Sequence, residues 1–377
     1  MKIGIVLGTR PEIIKTAPII KECEKRGIDH IIIHTGQHYS YRMSLTFLRE
    51  FGIKANFNLH VGSGTHAETT EKILSKLEGL LKKESPDFVI VLGDTNSALA
   101  GALVSIKLHI PLVHVEAGLR SFDRRMPEEY NRVIIDHISD ILFPPTKEAK
   151  ENLEREGIGR RKFLFFDGWK RPTVVVTGNT IVDAILFMLK RINDSKILSE
   201  LKLKEKEYFL LTLHREENVD FKKRLITFLR GIKLISKKYK LPIVFPIHPR
   251  TLNRIKEFGL KSFLAKIENL KLINPVGYLD MLSLEKNAHL VLTDSGGVVE
   301  ESCTLNTPVV ILRDTTDRPE ALEVGAAMLT GCNSKRILEA TERMLTKERK
   351  WRSPYGDGKA SLRIINTLER YYYERKR

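Results

Sequence analysis

The sequence predicts an α/β fold built from two doubly wound parallel sheets. Apolar, β-branched runs of strand length alternate with amphipathic helical stretches along the whole chain. The runs are almost continuously hydrophobic, as strands covered on both faces must be. At 377 residues the chain is also long for one hydrophobic core, so two domains are expected.

The predicted strands are, in order, KIGIVLG, HIIIHTG, DFVIVLG, PLVHVE and DILFPP, then TVVVTG, YFLLTL, PIVFPI, LKLINP, HLVLTD and PVVILR. Between them lie helical patterns such as TTEKILSKLEGLLKK, where Ile73, Leu74, Leu77 and Leu81 share one face. The series starts twice. IGIVLGTRPE near residue 3 is echoed by YFLLTLHREE near residue 208, each an apolar strand, a short loop, Arg, one residue and Glu. This echo supports two Rossmann-like halves. The boundary is expected inside TGNTIVDAILFMLKRINDSKILSELKLKEKE, a turn and a helix followed by a charged, poorly patterned stretch. We therefore expect one domain over residues 1–180, a second over 181–360, and a C-terminal helix over 361–377 packing back on the first. Ligands of open parallel sheets bind beyond the carboxyl ends of the strands, and two such domains would present those ends to each other across a cleft.

Composition narrows the partners. The formal charge of +16 invites a nucleic-acid reading, but Lys and Arg are spread along most helices and intermixed with Glu. No basic run is interleaved with aromatics before the tail YYYERKR, which reads as a fraying helix end. A solvated basic surface that attracts small anions is the preferred account, with no nucleic-acid partner. No apolar run is long enough to cross a bilayer and no signal-peptide layout precedes the first strand, so neither a membrane partner nor export from the cytoplasm is expected. The three cysteines form no C-x-x-C pair and the histidines show no H-E-x-x-H spacing, so no metal is expected.

Chemistry-bearing residues gather where strands end. After the first strand, GTRPEIIK puts a long cation and a carboxylate where a dinucleotide turn would carry glycines. Pro11 suits the first position of a helix, and Arg10 with Lys15 beside that helix N-terminus would hold an anion; a plain turn with solvated charges is the alternative. In VLGDTNSALAG, Asp94 separates a buried strand from a helix, as a catalytic carboxylate or as an N-cap, a job Thr95 could share. In HVEAGLRS, Glu116 ends an apolar strand where Gly, Asn or Ser is usual, with Arg120 four residues on. MPEEYNRVIIDHISD offers Glu128, Glu129 and Arg132 in the first turn of a helix, where acidic residues normally complement the dipole. Acidic sites so placed in one half point to proton-transfer chemistry.

In the second half, HLVLTDSGGVVEESCTLNTPVVILRD reads as strand, Ser295-Gly296-Gly297, helix, strand. Two glycines entering a helix let main-chain amides approach a phosphate closely. Glu301, one turn further in, is within reach of a ribose diol; an exposed helix glutamate is the bland reading. RDTTDRPE supplies Arg313 and Arg318, PIHPR supplies His248 and Arg250, and TLHREEN supplies His214 and Arg215. One histidine after a strand is usually structural, whereas two at equivalent strand ends beside a phosphate turn point to function.

The segments GTRPEIIK, GDTNSALA, HVEAGLRS, PEEYNR, TGNTIVDA, DSGGVVEE, RDTTDRPEA and PYGDG, in this order and spacing, cover almost the whole chain. Together they resemble the non-hydrolysing UDP-N-acetylglucosamine 2-epimerases, which have the two-domain GT-B fold. The resemblance implies that UDP sits mainly in the C-terminal half, contacted by Arg10, Lys15, His214, Ser295, Gly296, Gly297, Glu301 and Arg318. Asp94, Glu116 and Glu128 are implied as catalytic carboxylates, with His214 helping to neutralise the leaving phosphate. Val276 and Met281 stand at positions that can contact uracil, and His248 joins the substrate-binding set from its strand-end place. Such enzymes eliminate UDP to give 2-acetamidoglucal and add it back after protonating C2 from the opposite face. No cofactor is implied, and a homodimer is. Spacing does not assign acid and base among the carboxylates. A 2-epimerase of a 2,3-diacetamido-uronic acid nucleotide, a hydrolysing 2-epimerase and a GT-B glycosyltransferase are the alternatives. Two segments depart from the family pattern: YSYRMSLTFL after TGQH, near residues that in some bacterial members bind an activating second UDP-N-acetylglucosamine, and a short insertion in RRKFLFFDGWKRPTVVV carrying Trp169.

Overall fold

A computed structural model of the chain describes residues 1–36, 41–62, 64–159 and 172–376. Most of the insertion around Trp169, and the start of the YSYRMSLTFL segment, lie outside the described residues. Two compact units are present: Met1–Phe187 with Tyr355–Arg377, and Met188–Pro354. The helix Thr180–Leu189 carries the chain from one to the other, so the expected division at residue 180 falls at its N-terminus. Among the described residues, no helix is long and apolar enough to cross a membrane.

The first unit holds seven parallel strands: β1 (Lys2–Leu7), β2 (Asp29–His34), β3 (Phe57–Asn58), β4 (Phe88–Leu92), β5 (Leu112–Val115), β6 (Ile141–Phe143) and β7 (Thr173–Val174). Their spatial order is β3-β2-β1-β4-β5-β6-β7. The second unit holds six: β8 (Phe209–Thr212), β9 (Ile243–Pro246), β10 (Leu270–Ile273), β11 (Leu290–Thr293), β12 (Val309–Ile311) and β13 (Ala327–Leu329), in the order β10-β9-β8-β11-β12-β13. Each order reverses once, between β1 and β4 in the first sheet and between β8 and β11 in the second. At such a switch point the crossover helices leave to opposite faces and open a crevice beyond the strand ends.

Burial explains the strand composition. Val6, Ile33, Val89 and Val91 lie in one fully buried cluster with the helices His66–Glu84 and Asn96–Lys107. The second helix, NSALAGALVSIK, is rich in Ala and Gly because it approaches the sheet closely: a methyl group on Gly101 would stand 2.9 Å from Val91 Cγ1. An equivalent core in the second unit joins Phe209, Leu211, Phe245, Leu290 and Leu292 to the helices Lys222–Tyr239 and Ser334–Thr346.

The chain's last helix, Ala360–Lys376, belongs to the first unit. The Asp183 carboxylate accepts the amides of Ala360 and Ser361 and the Ser361 hydroxyl, and Arg26 pairs with Glu369 at 2.7 Å. The tail is more ordered than a fraying end, since Tyr371 and Tyr372 set their rings against Phe88. Two motifs meet where this segment enters. The Asn179 amide donates to the Tyr355 carbonyl at 2.7 Å, and a side chain on Gly356 would stand 3.1 Å from Gly178 Cα. TGNTIVDA and PYGDG are therefore a backbone junction, and glycine is needed where the two main chains touch.

Candidate active site

In the first unit, the switch point is crossed by a buried carboxylate. Glu12, 1% exposed, accepts the amides of Gly8 (2.9 Å) and Thr9 (2.7 Å) and the Thr95 hydroxyl (2.7 Å). This joins the turn after β1 to the turn after β4. Burial raises the Glu12 carboxyl above its ordinary range, against the pull of these hydrogen bonds. The anion position at this helix N-terminus is thus filled by the chain itself. The sequence reading noted this carboxylate in GTRPE but not its bridging role, although Thr9-x-x-Glu12 is a capping-box pattern.

Lys15, one turn on, reaches Glu116 rather than open solvent. Its ammonium lies 2.8 Å from both carboxylate oxygens, and both side chains are more than nine-tenths buried. Glu116 sits at φ 70, in the left-handed region that a side chain with a Cβ rarely adopts. Such backbone strain persists only where the surroundings hold it, and it concentrates at functional sites. Arg10 is largely buried, with its guanidinium 5.7 Å from the Phe47 ring centroid, and burial lowers its pKa.

Asp94 follows β4, the immediate neighbour of β5. Arg132 pairs with its carboxylate, and the Asn131 side chain donates to its carbonyl at 2.8 Å. Thr95 takes the N-cap position, its hydroxyl accepting the Ala98 amide, so Asp94 is released from that job. Glu128 opens the helix Pro127–Ile138, half-buried, one turn before Arg132. Its neighbour Glu129 is structural: it accepts from the Ser121 amide, the Ser121 hydroxyl and the Phe122 amide at 2.9–3.0 Å. The structure therefore brings Lys15, Asp94 and Glu116 to the carboxyl ends of adjacent strands, with Glu128 on the helix that carries Arg132.

The second unit repeats the device with a different residue. Asp294, wholly buried after β11, accepts the amides of His214 (3.1 Å) and Arg215 (2.9 Å) and the Asn218 side chain (3.1 Å), joining the turns after β8 and β11. His214 is 36% exposed, and its ring centroid lies 5.6 Å from that of His248. His248 Nδ1 accepts the Arg250 amide at 3.2 Å.

Ser295 precedes the helix Gly296–Thr304 without capping it through its side chain. A methyl group at Gly296 would meet nothing closer than 3.7 Å, and at Gly297 nothing closer than 4.0 Å. Neither glycine has a positive φ. Nothing among the described residues demands glycine at these two positions.

Glu301 is 6% exposed, so the exposed-glutamate reading fails. Beside it lies Glu285, wholly buried, whose carboxyl is pushed well above the usual range by burial and then by the like charge of Glu301. Arg318 is also buried, and its guanidinium is engaged by Glu300, the Asp317 carbonyl (2.9 Å) and the Asp317 carboxylate (3.0 Å). Arg313 reaches the same Asp317 carboxylate at 3.1 Å. Val276 and Met281 stand half-buried around the start of the helix Tyr278–Asn287, after β10.

Two doubly wound units, one with carboxylates at adjacent strand ends and one with a glycine-opened helix, define an α/β enzyme of the GT-B type. Residues 21–369 match the model of the UDP-N-acetylglucosamine 2-epimerase family. The UDP-N-acetylglucosamine 2-epimerase of Methanocaldococcus jannaschii is 52% identical over 98% of this chain and 99% of its own length. That of Methanococcus maripaludis is 49% identical over 97% and 98%. The crystal structure of the Methanocaldococcus jannaschii enzyme in complex with UDP-GlcNAc and UDP superposes with a TM-score of 0.89 over 98% of this chain and 99% of that one. The chain belongs to the UDP-N-acetylglucosamine 2-epimerase family, a family of isomerases.

Proposed function

We propose that the protein interconverts UDP-N-acetylglucosamine and UDP-N-acetylmannosamine. One carboxylate takes the proton from C2, the C1–O bond breaks with its electron pair leaving on UDP, and 2-acetamidoglucal remains. A second carboxylic acid delivers a proton to the other face of C2, and UDP adds back at C1. The reaction needs acidic groups on both faces of the ring and cations around the departing phosphate, and no net redox change.

The observation that carries this reading is the pairing of strained Glu116 with Lys15 at the end of β5, next to Asp94 at the end of β4. Asp94, Glu116 and Glu128 are assigned the proton transfers. Lys15 orients Glu116, and Arg10 supplies positive charge toward the pyrophosphate. In the second unit the amides of Gly296 and Gly297 take a phosphate, Glu301 takes the ribose hydroxyls, Val276 and Met281 pack on the base, and His214 assists the leaving group. Ser295 and His248 complete the phosphate side, and Arg318 holds the wall behind it.

A homodimer is part of the proposal. The helices His66–Glu84, Asn96–Lys107 and Pro127–Ile138 border a groove of about 1020 Å³ lined by Leu74, Leu99, Leu103 and Val104. Tyr130 and Ile134 nearby are 51% and 41% exposed. Glu71, Glu78 and Lys107 also line it, and charges of both signs on one patch can pair across a two-fold axis. Sedimentation should show a dimer that Ile134→Asp converts to monomer.

The activity is tested by incubation with UDP-N-acetylglucosamine in deuterated water. NMR should show UDP-N-acetylmannosamine with deuterium at C2. Free N-acetylmannosamine with stoichiometric UDP, or no exchange at C2, would overturn the reading.

A further inference from the structure

Strand β5 reads Leu-Val-His-Val, and its histidine lies in the middle of the core. His114 is 0% exposed. Its Nε2 lies 2.9 Å from the Gly93 carbonyl, and its Nδ1 lies 2.7 Å from the Asp136 carboxylate. A peptide carbonyl has no proton to give, so Nε2 must donate. Asp136 also accepts from Arg120 Nη1 at 2.7 Å and from the Gly118 amide at 3.1 Å, which makes it an acceptor toward the ring too. Burial alone would raise the Asp136 carboxyl, but His114 and Arg120 together hold it below its ordinary range. Both ring nitrogens therefore carry protons, and the imidazole is a buried cation.

The charge is balanced locally. Arg120 extends the chain from Asp136 to Glu156, with its Nε and Nη2 at 2.7 and 2.6 Å from the two Glu156 oxygens. Among the described residues, His137 lies 4.0 Å from Glu156 and is a further titratable neighbour of this relay. Imidazolium, carboxylate, guanidinium and carboxylate sum to zero, with Glu156 the member of the set that reaches solvent.

What the ring joins matters more than its charge. Gly93 directly precedes Asp94, and Gly118 closes the turn that begins at strained Glu116. We infer that His114, doubly protonated, is a positioning residue that braces the two strand-end turns carrying Asp94 and Glu116, and so sets the spacing of the proton-transfer groups. This rests on the epimerase reading above. A neutral ring can donate in only one of these bonds and turns an acceptor toward an acceptor in the other. No other side chain of comparable size donates in two opposite directions.

His114→Phe keeps the ring volume and donates nothing. It should lower kcat roughly 100-fold, as small displacements of reacting groups do, with KM for UDP-N-acetylglucosamine held within about twofold. UDP affinity should stay unchanged. His114→Gln, which donates toward one acceptor only, should fall between. Wild-type kcat in His114→Phe would overturn the brace, as would kcat and UDP affinity falling together. A second measurement does not depend on the variants folding. Imidazole nitrogen NMR of the wild-type protein, at the pH of the activity assay, should show both ring nitrogens of His114 carrying protons. A neutral single tautomer near pH 7 would overturn the proposal outright. Wild-type protein without C2 exchange would instead sink the epimerase reading, and the NMR result would still decide whether the ring is a cation.

Discussion

Glu116 concentrates strain, burial and charge in one side chain. Its left-handed backbone and its bond to Lys15 are separable contributions, and substitutions separate them. Lys15→Met leaves a buried carboxylate without its cation, which should destabilise the fold by about 3 kcal/mol. Adding Glu116→Gln should return part of that loss, and a double-mutant cycle followed by urea unfolding measures the difference. Additive losses would mean that the pair contributes little. Asp94→Asn, Glu116→Gln and Glu128→Gln should each lower kcat by about 100-fold or more while UDP affinity persists; retained turnover in all three would refute the carboxylate assignment. Asp94 and Glu116 were legible as candidates from their settings, one at an N-cap that Thr95 could serve and one where a strand usually ends in Gly, Asn or Ser, and Glu128 from its company with Glu129 and Arg132 in a first turn where acidic residues are ordinary. Glu12, His114, Asp136 and Asp294 were not. Their roles come from partners far away in sequence, and each looked locally ordinary. The His in an otherwise apolar strand and the capping box Thr9-x-x-Glu12 carried signals that could have been read.

At the scale of elements, the helix Gly296–Thr304 offers the cleanest separation of structure from function. Its two leading glycines have room for a methyl group and no positive φ. Gly297→Ala should therefore leave stability unchanged or raise it by about 0.5–1 kcal/mol, since Ala is the better helix former. It should also weaken UDP binding about tenfold or more by denying a phosphate close approach to the amides. Calorimetry and thermal unfolding on one sample read both effects, and unchanged UDP affinity would remove the phosphate assignment.

The turn after β8 is held differently. Asp220 accepts from Arg250 (2.7 and 3.1 Å) and Arg254 (2.9 Å), and mainly through the Arg250 bonds its carboxyl falls from 3.8 to about 2. A depressed folded-state pKa contributes stability above the unfolded value, which is lost as pH falls toward the folded one. Asp220→Asn should thus cost about 1 kcal/mol at neutral pH, a figure reduced for solvent screening. The difference from wild type should fade between about pH 4 and pH 2; a constant gap would mean that the contact acts through packing. Most strands were legible from their apolar runs. The sheet-edge strands β3 and β13 were not, because two or three residues pairing on one side need no hydrophobic period.

The whole molecule is threaded unevenly: one unit is continuous in sequence, whereas the other is completed only by the last segment of the chain. Local pattern predicts helices but not which unit claims them, so this return could be read only through the motifs TGNTIVDA and PYGDG, whose glycines prove to meet. The consequence is energetic. The helix Ala360–Lys376 buries Ile364, Ile365 and Leu368 completely and satisfies the Asp183 carboxylate with two amides and a hydroxyl. Three such side chains contribute roughly 6 kcal/mol of burial, comparable with the ~5–15 kcal/mol that keeps a domain folded. Removing residues 355–377 should therefore unfold the first unit and leave the second intact. Limited proteolysis should digest Met1–Phe187 and spare Met188–Pro354. Epimerisation should vanish, while the glycine-opened helix still binds UDP. If both units are digested at the same rate, they fold as one cooperative block, and the division drawn from their internal packing does not describe their stability.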